Sequence, residues 1–312
     1  MAYRQIRMPK TNTLRFGTLF VGLVMASAHT GARAGQDPAV ADVLRMAGEY
    51  HTAYVNKVSG VTLEEQYQLI DITGGKMSSA VRIASDVVLV NLNGGVAALR
   101  DPYAVDTKPL RERTPRITTL LAAPATPTLR DWETAISYPP QGAMHFVLDL
   151  ILKVNEPTTA LKFIAPALHG NFTYKLDGKR KINNVQTVGL GFDEPAGQEK
   201  KYLLGTRGNA RAFGRIWVDP ATGTVHETEL WIESKTETAT IKVKYAPNTA
   251  LNLVLPSEMN DTYEEREAAT GPRDFNNRSG NSGRSGARIS FQASAKYSKP
   301  TYAAIDLRTL KR

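Results

Sequence analysis

The sequence predicts an α+β protein, a curved antiparallel sheet with a single N-terminal helix and a helical insertion covering the sheet's open face. Three observations lead there. Apolar residues recur at helical spacing from Pro38 to Val58. Two blocks of period-two alternation, broken by Gly, Asn and Asp turns, occupy Val61 to Val105 and Asn171 to Tyr297. Between those blocks, residues 110–168 are apolar, punctuated by proline and without strand alternation.

The chain has 312 residues, 39 of them basic and 30 acidic, for a net charge of +9. Part of that charge belongs to the start of the chain. Residues 1–34 hold Arg4, Arg7, Lys10, Arg15 and Arg33 and no acid, and Phe16 to Ala28 is an apolar run bounded by small residues. A basic start, a short apolar middle and Ala-x-Ala sites predict a secretory signal peptide, cleaved after Ala28 or after Ala34. That run of thirteen residues falls short of the roughly 20 that span a bilayer. Its removal leaves 278 residues with a net charge of +4, which takes away the main support for nucleic-acid binding. The absence of cysteine excludes disulfides, thiol nucleophiles and Cys-ligated zinc, so an exported fold must be held by burial alone. Residues 35–312 are enough for one large β-rich domain or two small ones and are taken as one, soluble in the periplasm or outside the cell.

Asp37-Pro38 is an N-cap followed by proline at the first helical position, and Val40, Val43, Leu44, Ala47, Tyr50, Tyr54 and Val58 follow on one stripe. The helix ends at Gly60, and its stripe requires a sheet to lie on. Leu63, Tyr67 and Leu69 then alternate with Glu64, Gln66 and Gln68. Turns at Gly74-Gly75, Asn93-Gly94-Gly95 and Asp106 to Pro109 divide Val61 to Val105 into a meander. Within the insertion, Arg116 to Ala123, Leu129 to Ser137 and Asn155 to Ala165 read as short helices, and Met144 to Val154 is a nearly continuous apolar run. Strands resume at Asn171 to Leu176, with a hairpin signal at Asp177-Gly178, then at Ile182 to Phe192 and Lys201 to Thr206. Leu251 to Tyr263 places Leu253, Leu255, Met259 and Tyr263 on one face, and Ile289 to Tyr297 closes the set. Residues 270–288, rich in Gly, Ser, Asn and Arg, read as a flexible loop whose arginines either meet anionic lipid headgroups or keep the loop soluble.

The most legible stretch runs from Gly214 to Tyr245. Asp219-Pro220 suits the start of a type I turn and Gly223 the αL position that closes a bulged hairpin, with Ile241 to Tyr245 as a third strand. With Asp219 to Gly223 as the loop, Val218 faces Thr224 and Arg215 faces Glu227. Ile216, Val218, Leu230 and Ile232 then share one surface, and Arg215, Trp217, Val225, Glu227 and Trp231 the other.

Reactive chemistry is sparse. The five histidines, His29, His51, His145, His169 and His226, sit in no His-Glu-x-x-His helix, and no Gly-x-Ser-x-Gly elbow or phosphate loop accompanies them. In His226-Glu227 the two side chains point to opposite strand faces and cannot chelate together, so His226 reads as a cross-strand neighbour of Ile216 and Arg215 with Glu227 as a sheet ion pair. The sequence therefore predicts no catalytic residue, no metal site and no cofactor. What remains is apolar surface: Trp217 and Trp231, with Met144, Phe146, Leu148, Leu150, Ile151 and Leu152, either line a groove between sheet and helices or pack on one another. The same pattern serves both.

The order of leader, helix, meander, helical insertion and further strands, with the hairpin Trp217-Val-Asp-Pro-Ala-Thr-Gly223, resembles the LolA/LolB and RseB type of periplasmic protein. It also resembles exported proteins of unknown function that share this hairpin and a Val-Lys-Tyr strand. The resemblance spans most of residues 37–264, its specific residues lying in 213–263. It implies an incomplete β-barrel whose open side is covered by helices, and the carriage of lipoproteins or the sensing of lipid-related and misfolded envelope components. It also implies a strand arginine that holds the cover closed, a role for which the sequence singles out no arginine. The expected function is non-catalytic binding of a hydrophobic ligand or lipid-modified partner in the cell envelope, with Trp217, Trp231, Phe146, Leu150 and Met144 as lining residues and peripheral membrane contact allowed. A protein-interaction or scaffold module working through a sheet edge or the Arg-rich loop is the alternative.

Overall fold

The computed structural model describes residues 38–73, 75–92, 94–123, 156–195, 204–205, 208–233, 237–265 and 289–303. The expected leader, the helix at Leu129 to Ser137, the apolar run from Met144 and the loop at 270–288 lie outside those residues. Helix α1 is Pro38–Val58, with the bounds its capping and spacing predict, and Gly60 beyond it has φ +89°. Strands β1 (Val61–Thr73), β2 (Lys76–Leu92), β3 (Gly95–Val105) and the two-residue β4 (Lys108–Pro109) form the expected meander. Helix α2 (Arg116–Leu121) follows, and after the undescribed segment come 3₁₀ turns at Thr159–Ile164 and Pro166–Leu168. The remaining strands are β5 (Thr173–Ile182), β6 (Val185–Asp193), β7 (Leu204–Gly205), β8 (Gly208–Asn209), β9 (Arg211–Val218), β10 (Val225–Glu233), β11 (Glu237–Asn248), β12 (Leu253–Glu265) and β13 (Ile289–Tyr302).

Among the described residues, all strands but the small β7–β8 pair join one 11-stranded antiparallel sheet in the order β4-β3-β2-β1-β13-β12-β11-β10-β9-β6-β5. It is open, with β4 and β5 at its ends. The sheet bends strongly, because α1 packs against β2 and β3 near one end and against β5 and β6 at the other. Register shifts in the β1–β2, β2–β3, β5–β6, β9–β10, β11–β12 and β1–β13 ladders supply the bend, since each extra residue coils its strand locally. The concave face carries the core: Leu63, Tyr67 and Leu69 of β1, Val87 and Leu89 of β2, Leu190 and Phe192 of β6, Ile216 and Val218 of β9, and Met259 and Tyr263 of β12 pack with Val40, Val43, Leu44, Ala47, Tyr54 and Val58 of α1.

The two described ends of the insertion lie on opposite faces of the sheet, which corrects the expectation of a single covering layer. Ile117 and Leu121 of α2 pack on Val88 and Val90, the convex-facing residues of β2. The Thr159–Ile164 turn instead fills the concave side. Tyr245 Oη donates to Pro157 O at 2.6 Å, Tyr174 Oη donates to Phe163 O at 2.6 Å, and the Phe163 ring stacks on Phe192 at 4.7 Å. This segment was expected to be a helix running to Ala165; Pro166 stops it, and it closes as 3₁₀.

Two turns differ from expectation. Asp177-Gly178 is not the β5–β6 hairpin but the bulge between Leu176 and Lys179, and the chain reverses at Asn183-Asn184, with φ +50° and +65°. Both residues take the left-handed conformation of a type I′ turn, which asparagine tolerates. In the central hairpin Gly223 has φ +71° as predicted, but Val218 pairs with Val225, Glu227 with Trp217 and Glu229 with Arg215. His226 is the bulged residue, so Thr228 rather than His226 faces Ile216, and Val225 turns inward to the core beside Val218. The ion pairs change accordingly: Arg215 pairs with Asp177, and Arg180 with Glu227.

The hairpin tip seats directly on α1. A Cβ on Gly223 would lie 2.1 Å from Met46 O and 2.8 Å from Ala47 N. Gly223→Val is therefore expected to lower unfolding stability by about 3 kcal/mol through backbone strain and lost packing. Urea denaturation checks this; a loss below about 0.5 kcal/mol, the size of an ordinary surface change, would show that the tip does not bear on the helix.

Candidate functional site

A cleft of about 370 Å³ opens where the second half of α1 meets the β11–β12 end of the sheet. Tyr50, Ala53, Tyr54 and Lys57 form the helix wall, and Pro247, Asn248, Thr249, Asn252, Leu253 and Val254 the opposite one, with Thr224 of the central hairpin between them. The geometry follows from the helix period. Residues 50, 53, 54 and 57 are neighbours at i, i+3, i+4 and i+7 and run along one side of α1. Tyr50 and Tyr54 stack with ring centroids 5.5 Å apart. Tyr54 is 3% exposed, and its Oη has no hydrogen-bond partner among the described residues. Burial pushes the Tyr54 hydroxyl well above the usual tyrosine range, so it stays protonated. The cleft thus combines aromatic and aliphatic walls with one exposed ammonium, Lys57, and the Tyr54 hydroxyl is buried behind its wall.

The tryptophans singled out by sequence lie elsewhere. Trp217 and Trp231 are on the convex face, opposite the α1 core. Trp217 is 5% exposed, with the Arg180 guanidinium 3.9 Å from its ring centroid and Arg215 at 5.3 Å on the same face. Trp231 is half-buried and stacks with its cross-strand partner Phe213 at 5.9 Å. Met144, Phe146, Leu148, Leu150, Ile151 and Leu152 lie outside the described residues. Among the described residues no group of His, Asp and Glu side chains is arranged to hold a metal ion, and no helix is long and apolar enough to cross a membrane.

Sequence reasoning missed a set of charges inside the curl. Glu65 is fully buried between Leu63 and Tyr67 on the concave face, and Arg100 Nε donates to its two oxygens at 2.7 and 3.0 Å. Asp261 of β12 is 2% exposed and accepts from Tyr67 Oη at 3.3 Å, with Tyr263 and Arg100 also close enough to act on its charge. Burial pushes the Asp261 carboxyl up to about 6 against the opposing pull of Tyr263, Arg100 and Tyr67. Within the insertion, Glu156 Oε2 accepts from Ala98 N at 3.2 Å, and burial holds its carboxyl above the usual range. Lys162 is lowered to about 8 by burial, which Glu156 partly offsets. Glu65 sits where period-two alternation demands an inward residue, which was the one available sign; its partner on β3 follows only from the strand order.

No protein-family model matches the chain, and no curated protein does. Solved structures similar to it include a domain assigned to outer membrane lipoprotein sorting from Vibrio parahaemolyticus, at 9% identity and a TM-score of 0.37, over 85% of this chain and 94% of that one. A DUF1329 family protein from Desulfovibrio piger is similar at 11% identity and a TM-score of 0.37, over 86% and 95%. A LolA superfamily protein from Nitrosomonas europaea is similar at 10% identity and a TM-score of 0.29, over 85% and 97%. The chain is thus similar to structures of the group that its order of elements resembles.

Asp261 makes the interior charge measurable. Its carboxyl titrates near 6 when folded and near its ordinary value of 3.8 when unfolded, so between those pH values the folded state holds more protons. The group therefore favours folding most below the unfolded value, and this contribution is lost as pH rises to about 6. Asp261→Asn is expected to raise stability at pH 7.5 by on the order of 2 kcal/mol and by much less at pH 4, as read by thermal or urea unfolding. An equal effect at the two pH values would place the carboxylate in a solvated setting.

Proposed function

We propose that this is a non-catalytic binding protein of the cell envelope that holds a hydrophobic ligand, or the acyl chain of a lipid-modified partner, in the cleft between α1 and the β11–β12 end. The carrying observation is the lining of that cleft. Its volume of about 370 Å³ falls in the range of small-molecule sites, roughly 300–1,000 Å³. Its walls are the stacked Tyr50 and Tyr54, Leu253 and Val254, the surfaces a hydrocarbon chain leaves water to meet. The exposed Lys57 ammonium supplies a cation for the oxygens of a carboxylate or ester head. The reading calls for no cofactor and no metal. The envelope address comes from the expected leader, with its basic start and Ala-x-Ala sites.

Ala53 lines the cleft and its side chain is exposed, so Ala53→Trp fills the space without entering the core. The wild-type protein is expected to bind a fluorescent fatty acid saturably and to release lipid into organic extracts of the native preparation. Ala53→Trp should weaken the probe at least about tenfold, a change of 1.4 kcal/mol, at unchanged melting temperature. A wild-type protein with no copurifying lipid and no saturable probe binding would overturn the proposal.

A further inference from the structure

A second concavity lies on the convex face, about 410 Å³ in volume, over β5, β6, β9 and β10. Its construction can be followed through the ladders. One row across the sheet reads Lys175, Gly191, Arg215 and Glu229, and the next reads Thr173, Asp193, Phe213 and Trp231. Gly191 has no side chain, so a gap opens in the first row between Lys175 and Arg215. A Cβ added there would crowd Lys175 Cγ at 3.3 Å. Phe213 and Trp231, their ring planes only 16° apart, form an aromatic wall beside the gap.

The surroundings of that wall narrow the choice of occupant. Convex-facing residues on the neighbouring β11, and on β13 two strands beyond it, are polar, among them Lys242, Lys244, Gln292, Ser294 and Lys296, whereas Phe213 and Trp231 are only half-buried. An aromatic pair with a polar rim meets a ligand that has one flat C–H surface and hydrogen-bonding groups around its edge. Ion pairs supply that rim. Arg215 pairs with Asp177, and Arg211 holds both oxygens of Asp193 at 2.6 and 2.7 Å. Donors and acceptors are therefore presented in neutralised pairs, suited to hydroxyls rather than to a polyanion. Lys175 is exposed and has no ion-pair partner among the described residues, which leaves one cation in excess.

We propose that this groove is a saccharide-binding site, taking pyranose rings against Phe213 and Trp231 and a single carboxylate substituent at Lys175. Phe213 is stacked on Trp231 and carries the Arg211 guanidinium 5.0 Å from its ring centroid, so the aliphatic C–H groups of a pyranose lie chiefly on the Trp231 face, and its hydroxyls bridge the Arg–Asp pairs directly or through water. No bond is made or broken. The site is separate from the α1 cleft, on the other face of the sheet.

The full-length protein is titrated by calorimetry with three probes: the disaccharide of N-acetylglucosamine and N-acetylmuramic acid, the neutral chitobiose, and a proline-rich peptide as the rival aromatic-wall ligand. The acidic disaccharide is expected to bind best, with chitobiose several-fold weaker. Trp231→Ala should weaken both sugars at least about tenfold. Lys175→Met should abolish the preference for the acidic sugar, and salt should weaken only the acidic sugar. Trp231→Tyr keeps an aromatic wall and should retain binding, which separates loss of the wall from loss of the fold. Ala53→Trp should leave sugar binding unchanged, so failure at the acyl cleft and failure here are told apart. The proposal is overturned if wild type shows no saturable sugar binding, if the peptide is the tighter ligand, or if Trp231→Ala binds sugar like wild type.

Discussion

Eleven antiparallel strands laid flat would expose one broad apolar face, and this sheet avoids that by bending until strands near both its ends touch the same helix. Helix α1 can serve as that common contact because its buried stripe is wide. Val40, Val43, Leu44, Ala47, His51, Tyr54, Val55 and Val58 all face inward, while Asp42, Arg45, Glu49 and Lys57 remain in water. Each large apolar side chain so placed contributes about 1.5–3 kcal/mol, and none would without a surface on both flanks. The helix ties the ends of the curl together where no strand pair among the described residues does. Its third contact, the backbone of Met46 and Ala47 against Gly223, sets how far the central hairpin leans in.

The interior that the curl creates is not uniformly apolar, and the exceptions are grouped. Glu65, Arg100 and Asp261 lie on neighbouring parts of the concave wall, ringed by Tyr67, Tyr263 and Tyr297. A buried pair such as Glu65 with Arg100 gains little over a well-packed apolar pair, because desolvation cancels most of its attraction, yet losing either partner leaves an uncompensated charge. The pair therefore specifies an arrangement more than it stabilises one. Only one pairing of β1, β2 and β3 brings the two side chains together. Asp261 is held less well: Oδ1 has no partner among the described residues, and its raised titration point expresses that deficit.

Much of this was legible in the sequence, and the failures share a cause. The bounds of α1, the three-strand meander, the strand at Leu253 to Glu265 and the left-handed Gly223 follow from period and turn chemistry, which are local. Asp177-Gly178 looked like a hairpin because the pair suits a tight turn. The same conformational freedom suits a bulge, and Asn183-Asn184 supplied the competing turn five residues later. The His226 bulge was invisible for a related reason, since one inserted residue leaves composition unchanged while reversing the face of Val225. Partners across the curl cannot be read locally at all. The cleft residues Tyr50, Tyr54 and Leu253 were each placed correctly on a helix or strand, yet their meeting depends on how far the sheet bends. The tryptophans drew notice by size, whereas the groove that Trp231 borders depends on the missing side chain of Gly191.

Both proposed sites touch the β9–β10 hairpin, and this bears on whether they communicate. Thr224 at its tip lines the acyl cleft, while Phe213 and Trp231 near its open end line the saccharide groove. Coupling between two ligands requires an element with two arrangements whose balance both can shift. The hairpin is poorly suited to that role. Asp219 closes its loop by accepting from Ala221 N and Thr222 Oγ1 through its carboxylate and from Gly223 N through its carbonyl, and the bulge at His226 fixes which residues face inward. A one-residue slip would carry Ile216, Val218 and Leu230 out of the core, and sliding the tip would drive Gly223 into the α1 backbone. A strand that turns alternate side chains to opposite faces can thus serve two sites without linking them. Occupancy of the cleft should leave the affinity of the groove unchanged.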